Sequence, residues 1–565
     1  MNIKKKIPAV CLSAALACSA LAAGAGCSSL KVNTLKTPEK GLLQIAAFDG
    51  GYGLEWLNGC VEAFKDKNPG VNVTVSVMAT SSNVSTAHNN VAAGIYAGDL
   101  LYDTQSPNND AVKGYWYDLS EVYASVPDGE EKTVAEKLGE DVLKGFRSWD
   151  GNYYSMPVFD GLTGLQYNKT SLDEILGEGN WNVPVTTDEL YTLCNRIIAK
   201  GHSPFIYTTE TEGSYPAQFL ANEYYRQTTG LESVTEAGKG KIDGSRDESG
   251  ERLWEYLNAN GREQAIREVS RFFTKAGGMT DSRANEMSFI QAQGYFWGVD
   301  QGQGSVNGKT KLACFMANGD WNYNETRDSF GGIKQNVDIR CMRTPVASSI
   351  LELLPDVSID NDEELAALIH EIDENAAALI SGAETVYYAG ECVTGSHGGV
   401  NFSATWKDFQ KVYAARRLYY TTMNQQLFSV PKGNNGEGGC GDFELVKKFL
   451  TFMAGDEAAY IKASCLDGIS TAYRREPFEG VARNEFIKSR EEIVVGGVPA
   501  FSLSTYPVYT FFNVTDLSSP QQDMYSGRYY DNCMSANTKN SMISKYKNAL
   551  LSNALSIQKA DELGI

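Results

Sequence analysis

Histidine is scarce in this chain, with 4 in 565 residues, and that scarcity narrows the chemistry available to it. A Ser-His nucleophilic triad has few ways to assemble. Thr394-Gly395-Ser396-His397-Gly398 also lacks the first glycine of a nucleophile elbow. The stretch His370–Glu374 has no second histidine and so cannot be a zinc-protease helix. Cysteine follows no metal pattern: Cys60, Cys194, Cys314, Cys341, Cys392, Cys440, Cys465 and Cys533 are widely and irregularly spaced, with no CxxC. An exported protein could pair them, but several sit in apolar surroundings, so buried thiols fit as well as bridges do. Positive charge is in deficit, 50 basic against 70 acidic residues. That sign disfavours nucleic acid and anionic lipid head groups as partners. Beyond the first 26 residues no apolar run is long enough for a membrane span of about 20 residues.

What is present begins at the amino end. Lys4-Lys5-Lys6 precede an apolar run from Ile7 to Ala23, and Gly24-Ala25-Gly26 lead into Cys27. This is the plan of an export leader, residues 1–26, cut before a cysteine. The arrangement resembles the lipobox of bacterial lipoproteins, although Gly24 stands where an aliphatic residue is usual. The resemblance implies acylation of Cys27 and attachment to the outer face of the cell membrane. Residues 27–40 are polar and aperiodic and read as a tether. The remaining 525 or so residues exceed what one hydrophobic core holds and predict two lobes or more. Thirty tyrosines are a high count, and tyrosine lines pockets for polar, ring-shaped ligands as readily as it fills half-buried sites.

The clearest local pattern runs from Leu42 to Val77. Leu42–Phe48 reads as a buried strand and Gly50, Gly51 and Gly53 as a turn. Leu54, Leu57, Val61 and Phe64 recur at helical spacing, and Asn68-Pro69-Gly70 stops the helix. Val71, Val73, Val75 and Val77 then alternate with polar residues. Strand, glycine turn, helix, strand is a βαβ unit. It predicts a parallel sheet with ligands beyond the carboxyl ends of its strands, here the Asp49–Trp56 loop.

Six segments in order then carry a family resemblance: LNGCVEAFKDKNPGVNVTVSV, AAGIYAGDLLYD, NYYSMPVFDGLTGLQYNKTSLDE, VPVTTDELYTLCNRI, KLACFMANGDWNYNE, and the closing stretch from LFSVPKG to GISTAY. Together they resemble the family 1 extracellular solute-binding proteins of ABC importers, the group that includes maltose-binding protein. The match is weakest at 214–290, 346–400 and after about 480. The resemblance implies an α/β, two-lobe periplasmic-binding-protein-like fold with hinge strands and a ligand cleft between the lobes. It places crossings near Met156–Asp160, Arg343–Ala347 and Asp467–Ser470. Lobe one is then 41–156 plus 345–467, and lobe two 157–344 plus 468–565.

A sugar ring offers apolar faces and a hydroxyl rim, so its clamp needs aromatic rings beside carboxylates and amides. Trp321 stands with Asp320 and Tyr323 in NGDWNYNE, and the family's tryptophan at this place commonly stacks on a sugar. Asp103 ends a strand pattern, and Asn109 and Asp110 follow it; all three fit hydroxyl partners as well as turn or cap residues. Asp49, Tyr52 and Trp56 line the first loop, where Trp56 could equally be the buried face of the helix. Asp160 sits at a proposed hinge. His397 and Asn401 flank the glycines of GSHGGVNF, a close-approach loop or a simple turn. No cofactor, metal or catalytic residue is implied, and a monomer is expected.

Other patterns have blander accounts. Gly436–Gly441 matches GxGxxG, but Asp442 reads better as a helix cap. Asp360, Asp362 and Glu364 imitate a calcium loop without its glycine, and a capping box of Asp360 with Glu363 explains them better. The expectation is therefore a lipid-anchored carbohydrate-binding component of an ABC importer, not an enzyme, delivering an oligosaccharide to the permease subunits. The rivals are an exported glycoside hydrolase, which needs two carboxylates about 5–9 Å apart across a sugar cleft, and a sensor or adhesin on the same fold.

Overall fold

The computed structural model describes residues 41–564, apart from 108–112, 211–213, 300–301, 303, 330–336, 375–391, 435–436 and 503–516. The leader, the tether and Cys27 lie outside the described residues, as do Asn109 and Asp110.

The amino-terminal unit forms as its pattern predicts. Strand β1 (Leu42–Phe48) buries alternate residues, and helix α1 (Glu55–Lys67) turns Trp56, Leu57, Cys60, Val61 and Phe64 inward. Asn68 closes the helix by donating its side-chain amide to the Phe64 carbonyl at 2.7 Å. Strand β2 (Asn72–Met78) runs parallel to β1 from the pair Leu42 and Asn72 onward. Strand β3 (Leu100–Asp103) pairs parallel on the other side of β1. The Leu427–Ser429 strand and β4 (Met156–Pro157) complete a five-stranded sheet in antiparallel register. β2 lies at its edge, and Val77, near the strand's end, is 54% exposed.

A second, six-stranded sheet is built on β5 (Leu162–Asn168), all seven of whose residues are buried. The Ala313–Gly319 strand lies antiparallel on one side of β5 and pairs parallel with β6 (Ser203–Phe205). On the other side, Leu418–Thr421 pairs with the start of β5 and Ile339–Cys341 with its end. Val498–Phe501 adds to Leu418–Thr421 in parallel.

The chain passes from the first sheet to the second between Pro157 and Leu162. The next passage differs from expectation. Arg343–Ala347 does not cross: Met342 donates to the Leu165 carbonyl at 3.0 Å and Val346 to the Val185 carbonyl at 2.8 Å, which holds this stretch along the second sheet. The helix Asp362–Glu374, the hairpin of Cys392–His397 with Val400–Thr405, and the helix Trp406–Arg417 then bury one another around Val346, Ile350, Leu365, Leu368, Phe402 and Phe409. Their apolar faces are satisfied locally, so residues 345–374 and 392–417 stay beside the second sheet. The chain returns only between Thr421 and Leu427. It leaves again near Thr471, which bridges to Phe159.

The other weakly matching segments form an added helical layer. Leu253, Trp254, Ala265 and Ile266 share a core with Met524, Tyr529, Cys533, Met542 and Tyr546 of the carboxyl-terminal helices. Arg262 is buried between them, 4.3 Å over the Trp254 ring and bonded to the Asn258 side chain at 2.8 Å. Asp442 caps its helix as expected, through Leu445. The other predicted cap moves by one residue: Asn361, not Asp360, accepts from the Glu364 amide at 3.0 Å and donates to its carboxylate. The eight described cysteines are free thiols, five of them buried. Among the described residues no helix is long and apolar enough to cross a membrane.

One buried carboxyl gives the fold a pH dependence. Glu223 is 1% exposed. Burial pushes its carboxyl up to about 8, against the opposing pull of Thr344, Arg343, Arg226 and Arg416. A carboxyl raised in the folded state favours folding at acid pH, and that contribution is lost as pH rises from the ordinary carboxyl range toward 8. Wild-type stability should therefore fall across this window with a slope approaching about 1.4 kcal/mol per pH unit from this group. In Glu223→Gln that component should vanish, leaving the variant relatively more stable at pH 8.5 than at pH 5, as read from urea unfolding at both values.

Candidate functional site

The Asp49–Trp56 loop follows β1 and turns tightly, with the Gly53 amide bonded to the Gly50 carbonyl at 2.8 Å. Asp49 remains exposed. Tyr52 turns inward, is 4% exposed, and stacks on Phe159 with ring centroids 4.3 Å apart. Trp56 is fully buried, edge-on to Tyr102 and Phe159 at 5.2 and 5.1 Å. It occupies the buried face of its helix, one of the two roles open to it.

The strand Ala313–Gly319 brings Asp320 and Trp321 to the same place from the second sheet. Asp320 accepts from the Tyr52 hydroxyl, from the Leu162 amide at 3.1 Å and from Arg490 Nε. The Trp321 indole is 9% exposed and meets Tyr52, Tyr215 and Phe219 edge-on, at 6.4, 6.0 and 6.0 Å. Two glycines make room for it. A Cβ at Gly319 or at Gly51 would stand 2.1 or 2.6 Å from the indole, closer than side chains tolerate. Gly51 belongs to the first loop, so the indole is in contact with chain from both sheets.

A buried polar chain continues from Asp320. Arg490 Nη1 donates to Ser470 Oγ at 2.6 Å, and Ser470 Oγ donates to Asp160 Oδ2 at 3.3 Å. Arg475 Nε lies 3.4 Å from Asp160 Oδ1. Arg490 and Asp320 side chains are both fully buried. Burial alone would push the Arg490 guanidinium down; the carboxylates of Asp320 and Asp160 outweigh it and hold the group above its ordinary value. Burial, and then the charge of Asp320, push the Tyr52 hydroxyl well up, so it stays a donor at physiological pH.

The remaining candidates lie elsewhere. Tyr323 belongs to another ring cluster, stacked on Phe486 at 5.7 Å and edge-on to Trp297. Asp103 is buried, bonded to His88 Nε2 at 3.0 Å and to the Gln105 amide at 2.7 Å. His397 and Asn401 sit on the hairpin of the third core, where His397 stacks on His370 and Asn401 is exposed. The structure thus gathers Tyr52, Asp320 and Trp321, and links Asp160 to them through Arg490 and Ser470. Arg490, Ser470, Arg475, Tyr215 and Phe219 were not singled out from the sequence. The arrangement supplies aromatic edges, a positioned carboxylate and an exposed carboxylate at the loop mouth. It presents hydrogen-bonding groups rather than an activated nucleophile, and among the described residues no cluster of three metal-ligating side chains occurs.

Breaking the buried ion pair should be costly. Asp320→Asn or Arg490→Met alone should destabilise by about 3–5 kcal/mol, because each leaves a charge buried without its partner. The double variant should lose much less than the sum in a denaturant double-mutant cycle; additive losses would mean that the two charges do not act as a pair.

The sequence profile of the bacterial extracellular solute-binding proteins matches residues 51–325. A comparison with curated protein sequences finds no match. Among solved structures, a chitin oligosaccharide binding protein aligns with a TM-score of 0.52 at 13% identity, over 90% of this chain and 98% of that one. A protein from a study of xylan utilisation by Caldanaerobius polysaccharolyticus aligns at 0.52 and 12% identity, over 90% and 99%. The bacterial solute receptor AcbH, described as having an exclusive preference for β-D-galactopyranose, aligns at 0.51 and 12%, over 90% and 98%. At these identities the likeness is one of fold. With the profile match over residues 51–325, just under half of the chain, the chain is similar to the bacterial extracellular solute-binding proteins, and its fold is of the family 1, maltose-binding-protein-like kind.

Proposed function

We propose that this protein is the carbohydrate-binding receptor of an ABC importer, held to the outer face of the cell membrane through an acylated Cys27. It binds an oligosaccharide between its two sheets, closes over it, and delivers it unmodified to the permease. The observation that carries the reading is the meeting of aromatic and carboxylate groups from both sheets: Gly51 and Tyr52 on one side, Asp320 and Trp321 on the other. A ligand touching both sides favours the closed arrangement by the difference between its contacts in the two states. The family match and the sugar ligands named for the aligned structures support carbohydrate as the class.

Within this reading Trp321 and the half-buried Tyr215 supply apolar ring edges, and Asp49 supplies an exposed acceptor. Asp320 holds Tyr52 and Arg490 in place rather than reaching for the guest, since its oxygens are already occupied. A single acyl chain anchors only marginally, so a receptor of this kind needs more than one for a stable leash.

The test is a thermal-shift panel of neutral saccharides, peptides and polyamines on the leaderless protein. Saturating ligand raises stability by RT ln(1 + [L]/Kd), about 2.7 kcal/mol at one hundred times Kd. A saccharide should shift the melting point; a shift by peptides alone would exclude the sugar assignment. With the identified saccharide, Asp49→Ala should weaken binding while leaving the unliganded melting point unchanged. Trp321→Ala should weaken it by about 1–3 kcal/mol, on the scale of a lost aromatic contact.

A further inference from the structure

Two of the four histidines lie ring on ring. His370 is on the helix Asp362–Glu374, and His397 is at the end of the first strand of the hairpin, next to the Gly398-Gly399 turn. Their centroids are 4.1 Å apart and their planes 16° from parallel. Glu374 Oε1 lies 3.3 Å from His397 Nδ1. Behind the rings, Val393, Phe402 and Ala404 of the hairpin are buried in the third core with Leu365, Leu368 and Ile369 of the helix. The rings thus sit at the tip, where undocking would begin.

We propose that the stacked His370–His397 pair is an acid-sensitive latch, fastening the 392–405 hairpin to the Asp362–Glu374 helix at neutral pH and loosening it as the medium acidifies.

Neutral imidazoles stack well, and one protonated ring over a neutral one is also favourable. The His397 ring has the Glu374 carboxylate beside its Nδ1. A second proton puts two cations 4.1 Å apart. The charged groups facing His370 are His397 on the hairpin, Glu189 on the helix Thr187–Ala199, Asp373 on its own helix and Arg416 on the helix Trp406–Arg417. Asp373 is engaged by Arg416 at 2.6 Å, and Glu189 accepts from the Val185 amide at 2.8 Å. Burial, followed by His397, holds His370 below its ordinary value. A base lowered in the folded state loses its stabilising contribution as pH falls below the free-imidazole range of about 6.5. His370 also lines a groove of about 740 Å³ with Glu189, Asp362 and Arg271, through which solvent protons reach it.

Hydrogen exchange of the full chain, followed by mass spectrometry on peptides covering 392–405, tests the latch at pH 7.5 and 5.0 after correction for intrinsic rates. Wild type should be less protected at pH 5.0 than at pH 7.5. His370→Phe keeps a ring in the stack without a proton to gain, and should show equal protection at both values. Unchanged wild-type protection, or an equal acid loss in His370→Phe, would overturn the proposal. Should that variant not fold, imidazole titration by NMR on wild type decides: staggered midpoints with His370 the lower support the latch, and two independent ordinary midpoints refute it.

Discussion

The Asp320–Arg490 pair is the contact on which the centre of this molecule is organised. Moving two ions from water into a protein interior is expensive, and their attraction offsets that cost only when the remaining polar atoms are also satisfied. Asp320 meets the requirement with three donors, Tyr52, Leu162 and Arg490. Arg490 reaches Ser470 through Nη1, and Ser470 passes the connection to Asp160, while Arg490 Nη2 is buried without a hydrogen-bond partner. These groups come from the first loop, the start of β5, the end of the Ala313–Gly319 strand, the Thr471 passage and a late helix. A single charge pair therefore fixes where five separated stretches of chain meet. Trp321, next to Asp320 in sequence, is delivered to the junction between the sheets as a consequence.

The local patterns were readable because they are local. The Leu42–Val77 alternations and helical spacing report burial against immediate neighbours, and the strands and helix appear where the spacing puts them. Trp321 and Asp320 could be picked out because a strand pattern ends just before them. Arg490 could not, since it lies 170 residues from Asp320 and nothing in its helix distinguishes it from a solvated arginine. Tyr215 and Phe219 escaped for a similar reason, lying in a segment whose sequence departs from the family pattern.

The misplaced second crossing has a different physical cause. From Arg343 onward the resemblance thins, and an apolar helix at 362–374 fits either sheet equally well in a one-dimensional reading. Its partner is decided by the hairpin and the helix that follow, which cover its apolar face and leave the chain no reason to cross before Thr422. The loop-like GSHGGVNF stretch became part of that hairpin. Its glycines serve the turn, and its histidine packs on another histidine instead of facing the Trp321 cluster. The segments beyond the family pattern thus extend the second sheet's side, the helical layer sharing that sheet's core and the Asp362–Glu374 helix, hairpin and following helix forming one of their own.

Small-angle X-ray scattering of the leaderless protein, with and without the saccharide that shifts its melting point, tests the proposed closure most directly when the recovered sugar is analysed afterwards. The account predicts a smaller radius of gyration with ligand and an intact sugar on release. Identical scattering in both states, or a cleaved sugar, would contradict it.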